Sequence, residues 1–196
     1  MMKKFDKEYF ESVNYVDYLS RSDRYDKTAQ ELLEFFDKIE IFDKNKYALD
    51  FGCAVGHLLN ALIKRNVTRV YGVDISDWAI EYAREQDLPV AKEVRWDLHH
   101  SIVFALDVFE HMPVDKLREF FLKIKTDVIV FRIPVCKNKG EDYVLEVSRN
   151  DPTHLIRWTK DEWKNFFNMR GYITFNLNLY SLYNSEGVYS GIAVKI

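Results

Sequence analysis

The chain has 196 residues, 47% of them hydrophobic and 30% charged, with a formal net charge of -3. That length suits one domain with a substantial core. No apolar run approaches the roughly 20 residues that span a bilayer. The charged start, Met1-Met2-Lys3-Lys4-Phe5-Asp6, lacks the apolar stretch of a secretion signal. The slight negative charge disfavours nucleic acid, whose binders usually carry a basic surplus. Cys53 and Cys136 offer neither a disulfide framework nor zinc spacing. A cytoplasmic protein without a membrane partner is expected; the sequence does not set its oligomeric state.

Aromatic residues crowd the beginning: Phe5, Tyr9, Phe10, Tyr15, Tyr18 and Tyr25. They read as a helical segment packed on the domain, and equally as a lid over a ligand site. Thr28-Ala29-Gln30-Glu31 forms a capping box, with Leu32, Leu33, Phe35, Phe36 and Ile39 following at helical spacing. Residues 47–51 form a short buried strand, 52–56 a turn, and Leu58, Leu59, Leu62 and Ile63 the face of a helix. A second strand, 70–73, ends at Asp74. Ser76 or Asp77 caps a helix that runs to about Glu85. Residues 90–94 are a weakly marked strand and 101–106 a stronger one, ending at Asp107. Pro113 suits a first helical turn, with Leu117, Phe120, Phe121 and Ile124 facing the core. A fifth strand, 127–131, is stopped by Pro134. Residues 135–157 read as an irregular insertion. A second capping box, Thr159-Lys160-Asp161-Glu162, opens a helix that ends near Gly171. Strands at 172–179 and 188–196 close the chain with no helix between them, so they should pair antiparallel.

This order predicts a Rossmann-like, doubly wound α/β fold. Its seven-stranded sheet is mostly parallel, with an antiparallel C-terminal hairpin. One domain, 1–196, is expected: a helical lid or cap over 1–45 and a core over 46–196, with 135–157 on the substrate side. In such sheets ligands bind beyond the carboxyl ends of the strands. The first strand delivers Asp50-Phe51-Gly52-Cys53-Ala54-Val55-Gly56, whose glycines allow a tight turn and a close ligand approach. The helix behind the turn offers unpaired N–H groups. Asp74 ends the second strand at roughly the 20-residue spacing expected of a carboxylate that binds a ribose diol.

Residues 49–56 resemble the first motif of class I S-adenosylmethionine-dependent methyltransferases, and Gly72-Val73-Asp74-Ile75-Ser76 resembles their second. Asp107-Val108-Phe109-Glu110-His111-Met112 is similar to their signature after strand 4, here an acid-x-x-Glu-His motif of the small-molecule type. The resemblance runs from about Tyr47 to the C-terminal hairpin. It implies S-adenosylmethionine as cofactor and S-adenosylhomocysteine as product. Gly52, Ala54 and Gly56, with Cys53 in the same loop, would line the methionine side, and Asp50 would support the loop. Asp74, followed by Ile75, would hold the ribose. Asp97 would take the adenine amino group, and Asp107 would border the site. The sequence departs from the pattern at Ala54, where glycine is common; binding should survive unless that residue needs positive φ.

Sulfonium chemistry needs little from the protein beyond alignment. A hydroxyl acceptor also needs a base or a metal to remove its proton, which a carboxylate acceptor does not. Asp107, Glu110 and His111 would share one face if a helix begins there. Asp151-Pro152-Thr153-His154 lies in the insertion. Asp107, Glu110, His111 and His154 form a candidate set for a divalent ion, which could chelate a diol and acidify it. Similar acid–acid–His clusters hold a metal in ubiquinone-pathway O-methyltransferases and in methyltransferases of small-RNA 3′ ends. His111 or His154 could instead act as a metal-free base or substrate contact, or be structural. His99-His100 reads as a surface turn. His57 reads as exposed or packed, Trp163 as core, and Trp158 as a possible pocket wall.

The leading expectation is methyl transfer to an oxygen of a small-molecule acceptor. The rivals are a metal-dependent RNA 3′-end 2′-O-methyltransferase and an inactive methyltransferase-like binding module. The absence of G-x-G-x-x-G argues against a dehydrogenase.

Overall fold

The computed structural model describes residues 5–11, 16–182 and 185–196. Tyr15, one of the N-terminal aromatics, lies outside them. Seven strands are present among the described residues: β1 Ala48–Phe51, β2 Val70–Val73, β3 Val90–Ala91, β4 His99–Leu106, β5 Lys125–Pro134, β6 Tyr172–Asn176 and β7 Val188–Lys195. They hydrogen-bond in the order β3-β2-β1-β4-β5-β7-β6. β1 and β3 each pair parallel with β2, whereas β5 and β6 each pair antiparallel with β7. This is the predicted mixed sheet with its C-terminal reversal. The chain divides into two compact units, residues 1–101 and 102–196. Among the described residues no helix is long and apolar enough to cross a membrane.

In the first unit, α1 (Lys7–Glu11) and a 3-10 turn (Tyr18–Ser20) precede α2 (Ser22–Ile39). The second helix starts six residues before the capping box that was expected to open it. Thr28 is therefore internal, and its hydroxyl donates to the Arg24 carbonyl at 3.0 Å, the usual outlet for a threonine inside a helix. Leu32, Leu33 and Phe36 form the buried face. Helix α3 (His57–Lys64) is tied to α2 by the Arg65 fork, whose two nitrogens lie 2.5 and 2.7 Å from the Asp26 carboxylate. Ser76 caps α4 (Asp77–Arg84) through the Ala79 N–H, as expected. One expectation fails here. β4 begins at His99, so His99-His100 is strand rather than surface turn. Strand alternation buries His100, whose Nε2 lies 2.9 Å from the Tyr71 hydroxyl.

In the second unit, α5 (Val114–Lys123) and α7 (Lys160–Asn168) supply the helical layer. The Thr159/Glu162 capping box forms with both of its bonds. Trp163, Phe167, Phe109 and Phe131 are fully buried together. Trp158 packs against Trp163 with ring centres 4.8 Å apart. Residues 135–157 are irregular apart from α6 (Glu146–Arg149) and single β-bridges from Cys136 to Tyr143 and Thr159. Gly191, in the middle of β7, passes so close to Phe131 and the Phe175 carbonyl that no side chain fits there.

Candidate functional site

In the first unit the turn after β1 is left-handed at three residues: Gly52 (φ 74°), Ala54 (φ 48°) and Gly56 (φ 84°). Ala54 thus occupies the conformation its side chain disfavours, at a cost of roughly 1–2 kcal/mol. Its N–H is held by Asp74 Oδ2 at 2.8 Å. Asp74 Oδ1 accepts the Ser76 N–H, also at 2.8 Å. Asp74 therefore braces the turn from the end of β2. Burial raises its pKa, and these backbone bonds act in the opposite direction.

Gly56 precedes α3 without a capping side chain, and Asp50 substitutes for one by accepting the Leu59 N–H. Asp50 is only 4% exposed, and its Oδ2 has no hydrogen-bond partner among the described residues. Burial and then the Asp74 carboxylate raise its pKa to about 7. An orphaned acceptor beside a left-handed turn suits a ligand carrying an N–H donor. Ile75, 68% exposed, offers an uncovered apolar surface directly after Asp74. These features fit the amino-acid and ribose ends of S-adenosylmethionine.

Burial pushes the Cys53 thiol well up, which suits a packing role rather than a nucleophile. Its sulfur lies where a side chain at Gly72 would have to go. Lys92, which sequence reasoning passed over, donates to the Ile75 carbonyl and pairs with Asp77 at 2.7 Å. Asp97, expected to take the adenine amino group, precedes β4. β3 ends at Ala91, and the chain then returns toward Tyr47, the residue before β1. There Asp97 pairs with Arg95, which lies over the Tyr47 ring.

In the second unit a separate cluster follows β4. Phe109–His111 is a 3-10 turn and Asp107 lies before it with φ 57°, so the expected single helical face of Asp107, Glu110 and His111 does not form. Asp107 instead pairs with Arg132 of β5, whose Nε donates to the Leu182 carbonyl at 3.0 Å. Glu110 is fully buried, and neither carboxylate oxygen has a hydrogen-bond partner among the described residues. Burial, followed by the Asp107 charge, pushes its pKa well above the carboxylate range. Its backbone carbonyl accepts the Leu155 and Ile156 N–H groups at 2.7 and 3.1 Å, which draws in the loop bearing His154.

The neighbours of the two histidines fix their protons. The His154 Nδ1 lies 3.0 Å from the Ser148 carbonyl, which can only accept, so Nδ1 carries the hydrogen. Thr153 gives its hydroxyl hydrogen to Asp151 at 2.5 Å and accepts from His111 Nδ1 at 2.8 Å. In the neutral rings both Nε2 atoms are therefore lone-pair bases. They stand 3.9 and 4.0 Å from the same oxygen of Glu110. Burial, then the proximity of His154, lowers the His111 pKa to about 4; burial also lowers that of His154. Asp151 is lowered despite its burial, because the Thr153 hydroxyl and amide both donate to it. One atom each from Glu110, His111 and His154 lies within 4.8 Å of the other two. The structure thus assembles three of the four candidate metal ligands and assigns Asp107 to Arg132.

The fold and the braced glycine turn define a class I methyltransferase architecture. Residues 20–172 match the family model described as a methyltransferase domain, and the chain belongs to that family. No curated protein matches the chain. Among solved structures it is similar to magnesium protoporphyrin IX methyltransferase (ChlM) from Synechocystis PCC 6803 with bound S-adenosylmethionine. That match has 14% identity and a TM-score of 0.64, covering 97% of this chain and 95% of the other. A methyltransferase from Clostridium acetobutylicum ATCC 824 shares 14% identity at a TM-score of 0.67, over 95% and 98% of the two chains. The plantazolicin methyltransferase BpumL, in complex with S-adenosylhomocysteine, shares 14% at 0.63, over 96% and 93%. The chain is an S-adenosylmethionine-dependent methyltransferase, with S-adenosylhomocysteine as its product.

Proposed function

We propose that the enzyme methylates an oxygen of a small hydroxylated or carboxylated molecule, with His111 and His154 at the acceptor. The observation that carries this reading is the convergence of two neutral Nε2 bases on a buried carboxyl group with no hydrogen-bond partner among the described residues. The cofactor supplies a methyl group already activated by sulfonium charge. The acceptor oxygen bonds to that carbon as the carbon–sulfur bond breaks, and sulfur keeps the electron pair. A hydroxyl acceptor passes its proton to an Nε2 that is unprotonated at neutral pH. Two of the similar structures belong to enzymes named for small molecules, magnesium protoporphyrin IX and plantazolicin. In this reading 1–196 works as one domain, with 1–45 as its cap and 135–157 contributing acceptor contacts.

A second reading has its own support. Glu110, His111 and His154 together offer a carboxylate and two imidazoles, a donor set suited to a divalent ion. Such an ion would acidify a bound hydroxyl, as a metal-dependent RNA 3′-end enzyme also requires. The net charge of -3 weighs against RNA.

The test is formation of S-adenosylhomocysteine with panels of small hydroxylated and carboxylated acceptors and with short RNA, with and without EDTA. Activity on a small acceptor that survives EDTA and falls in His111→Ala supports the base. Loss in EDTA and recovery with added Mg²⁺, Mn²⁺ or Zn²⁺ supports the ion. A product methylated on nitrogen or carbon rejects oxygen transfer. Cofactor binding with turnover on none of the panels favours a binding module.

A further inference from the structure

The stretch Asp151-Pro152-Thr153-His154 reaches both histidines of the second-unit cluster. Asp151 and Thr153 are both buried. Asp151 Oδ1 accepts the backbone N–H and the hydroxyl of Thr153, at 2.8 and 2.5 Å. Its Oδ2 lies 3.8 Å from His154 Nε2. A threonine hydroxyl has one hydrogen. With that hydrogen on Asp151, the oxygen has only lone pairs to offer His111 Nδ1, 2.8 Å away. The reverse direction would need a hydrogen from Asp151. Despite burial, the Thr153 hydroxyl and amide hold that carboxyl below its ordinary range, so it has none to give.

A threonine kept only for its shape would be served by valine, because a buried hydroxyl costs free energy unless it is bonded. In a neutral imidazole the hydrogen bond at one nitrogen decides which nitrogen keeps the lone pair. His154 has a separate device, the Ser148 carbonyl 3.0 Å from its Nδ1. The backbone thus sets one ring, and the Asp151–Thr153 pair sets the other. Both Nε2 atoms then point their lone pairs toward Glu110 Oε1, at 3.9 and 4.0 Å.

We infer that Thr153, locked by Asp151, is a positioning residue: it holds the hydrogen of His111 on Nδ1 and keeps the Nε2 lone pair toward Glu110. The inference rests on the proposed function only in taking that lone pair to serve the acceptor. A base and a metal ligand both need it.

The test reads the tautomer of each ring by ¹⁵N NMR of the ligand-free protein, with labelled histidine and with EDTA. The pH is 8, above the ordinary imidazole range. A ring nitrogen with a hydrogen and one without resonate far apart. The signals of His111 and His154 are assigned by their loss in His111→Gln and His154→Gln. Wild type should carry the hydrogen on Nδ1 of both rings. Thr153→Val should shift the His111 ratio by about tenfold toward hydrogen on Nε2, the scale of one hydrogen bond. His154 should not change, because the Ser148 carbonyl still holds it. Thr153→Ser, which keeps the hydroxyl, should show the wild-type pattern. Hydrogen on His111 Nε2 in wild type, or an unaltered ratio in Thr153→Val, overturns the inference. So does an equal change in both rings, which would mean that valine only loosens the loop. Should Thr153→Val fail to fold, Thr153→Ala is read in the same way. The expected pattern in a protein that methylates no hydroxylated acceptor supports this inference and overturns the base reading alone.

Discussion

Asp50 titrates near 3.8 in an unfolded chain and near 7 in the folded one, where burial and Asp74 oppose its charge. Between those values the folded protein keeps a proton that the unfolded chain has released. Stability is therefore highest below pH 3.8 as far as this group is concerned. It falls as pH rises toward 7 and is level above. At about 1.36 kcal/mol per pH unit, the loss amounts to about 4 kcal/mol at pH 8. Asp50→Asn keeps the shape and an oxygen for the Leu59 N–H but cannot ionise. Burying an amide hydrogen without an acceptor costs about 1–3 kcal/mol. The variant should gain about 2 kcal/mol at pH 8, roughly 4–8 °C for a chain of this size. At pH 4 the gain should vanish or reverse. Thermal melts of ligand-free wild type and variant at pH 4, 6 and 8 measure this. A difference that does not change with pH, or a variant that is relatively weaker at pH 8, refutes the reasoning. The same substitution should reduce affinity for S-adenosylhomocysteine at pH 8, because the acceptor charge is gone.

Asp74→Ala removes the acceptor of both the Ala54 and Ser76 N–H groups along with the expected ribose contact. Calorimetry should show at least about a hundredfold loss of S-adenosylhomocysteine affinity; unchanged affinity sinks the role given to Asp74. Gly191→Ala forces a methyl group against the Phe175 carbonyl and the Phe131 ring. Urea unfolding should show a loss of about 1–3 kcal/mol, and a change below about 0.5 kcal/mol would mean that β7 can shift at that point.

The succession of strands and helices along the chain was legible because apolar runs alternate with capped helices and turn residues. The hairpin followed from the lack of an α-helical sequence pattern between 179 and 188, where the structure has only a 3-10 turn, Tyr180–Leu182, among the described residues. The start of α2 was not, because Thr28-x-x-Glu31 reads the same at a helix start and inside one. His100 was misread because its partner, Tyr71, is 29 positions away. At the site, Asp50, Gly52, Gly56 and Asp74 carry local spacing, and the structure assembles them around one turn. Arg132 could not be anticipated as the partner of Asp107, since nothing local links β5 to the turn after β4.

β7 lies between β5 and β6, both of which precede it in the chain. During synthesis, therefore, β5 waits with an unpaired edge until β7 has left the ribosome, and β6 waits with it. An open edge of apolar strand invites pairing with other chains. Conditions that delay the emergence of residues 188–195 should divert nascent chains toward aggregation, even where the folded protein is stable.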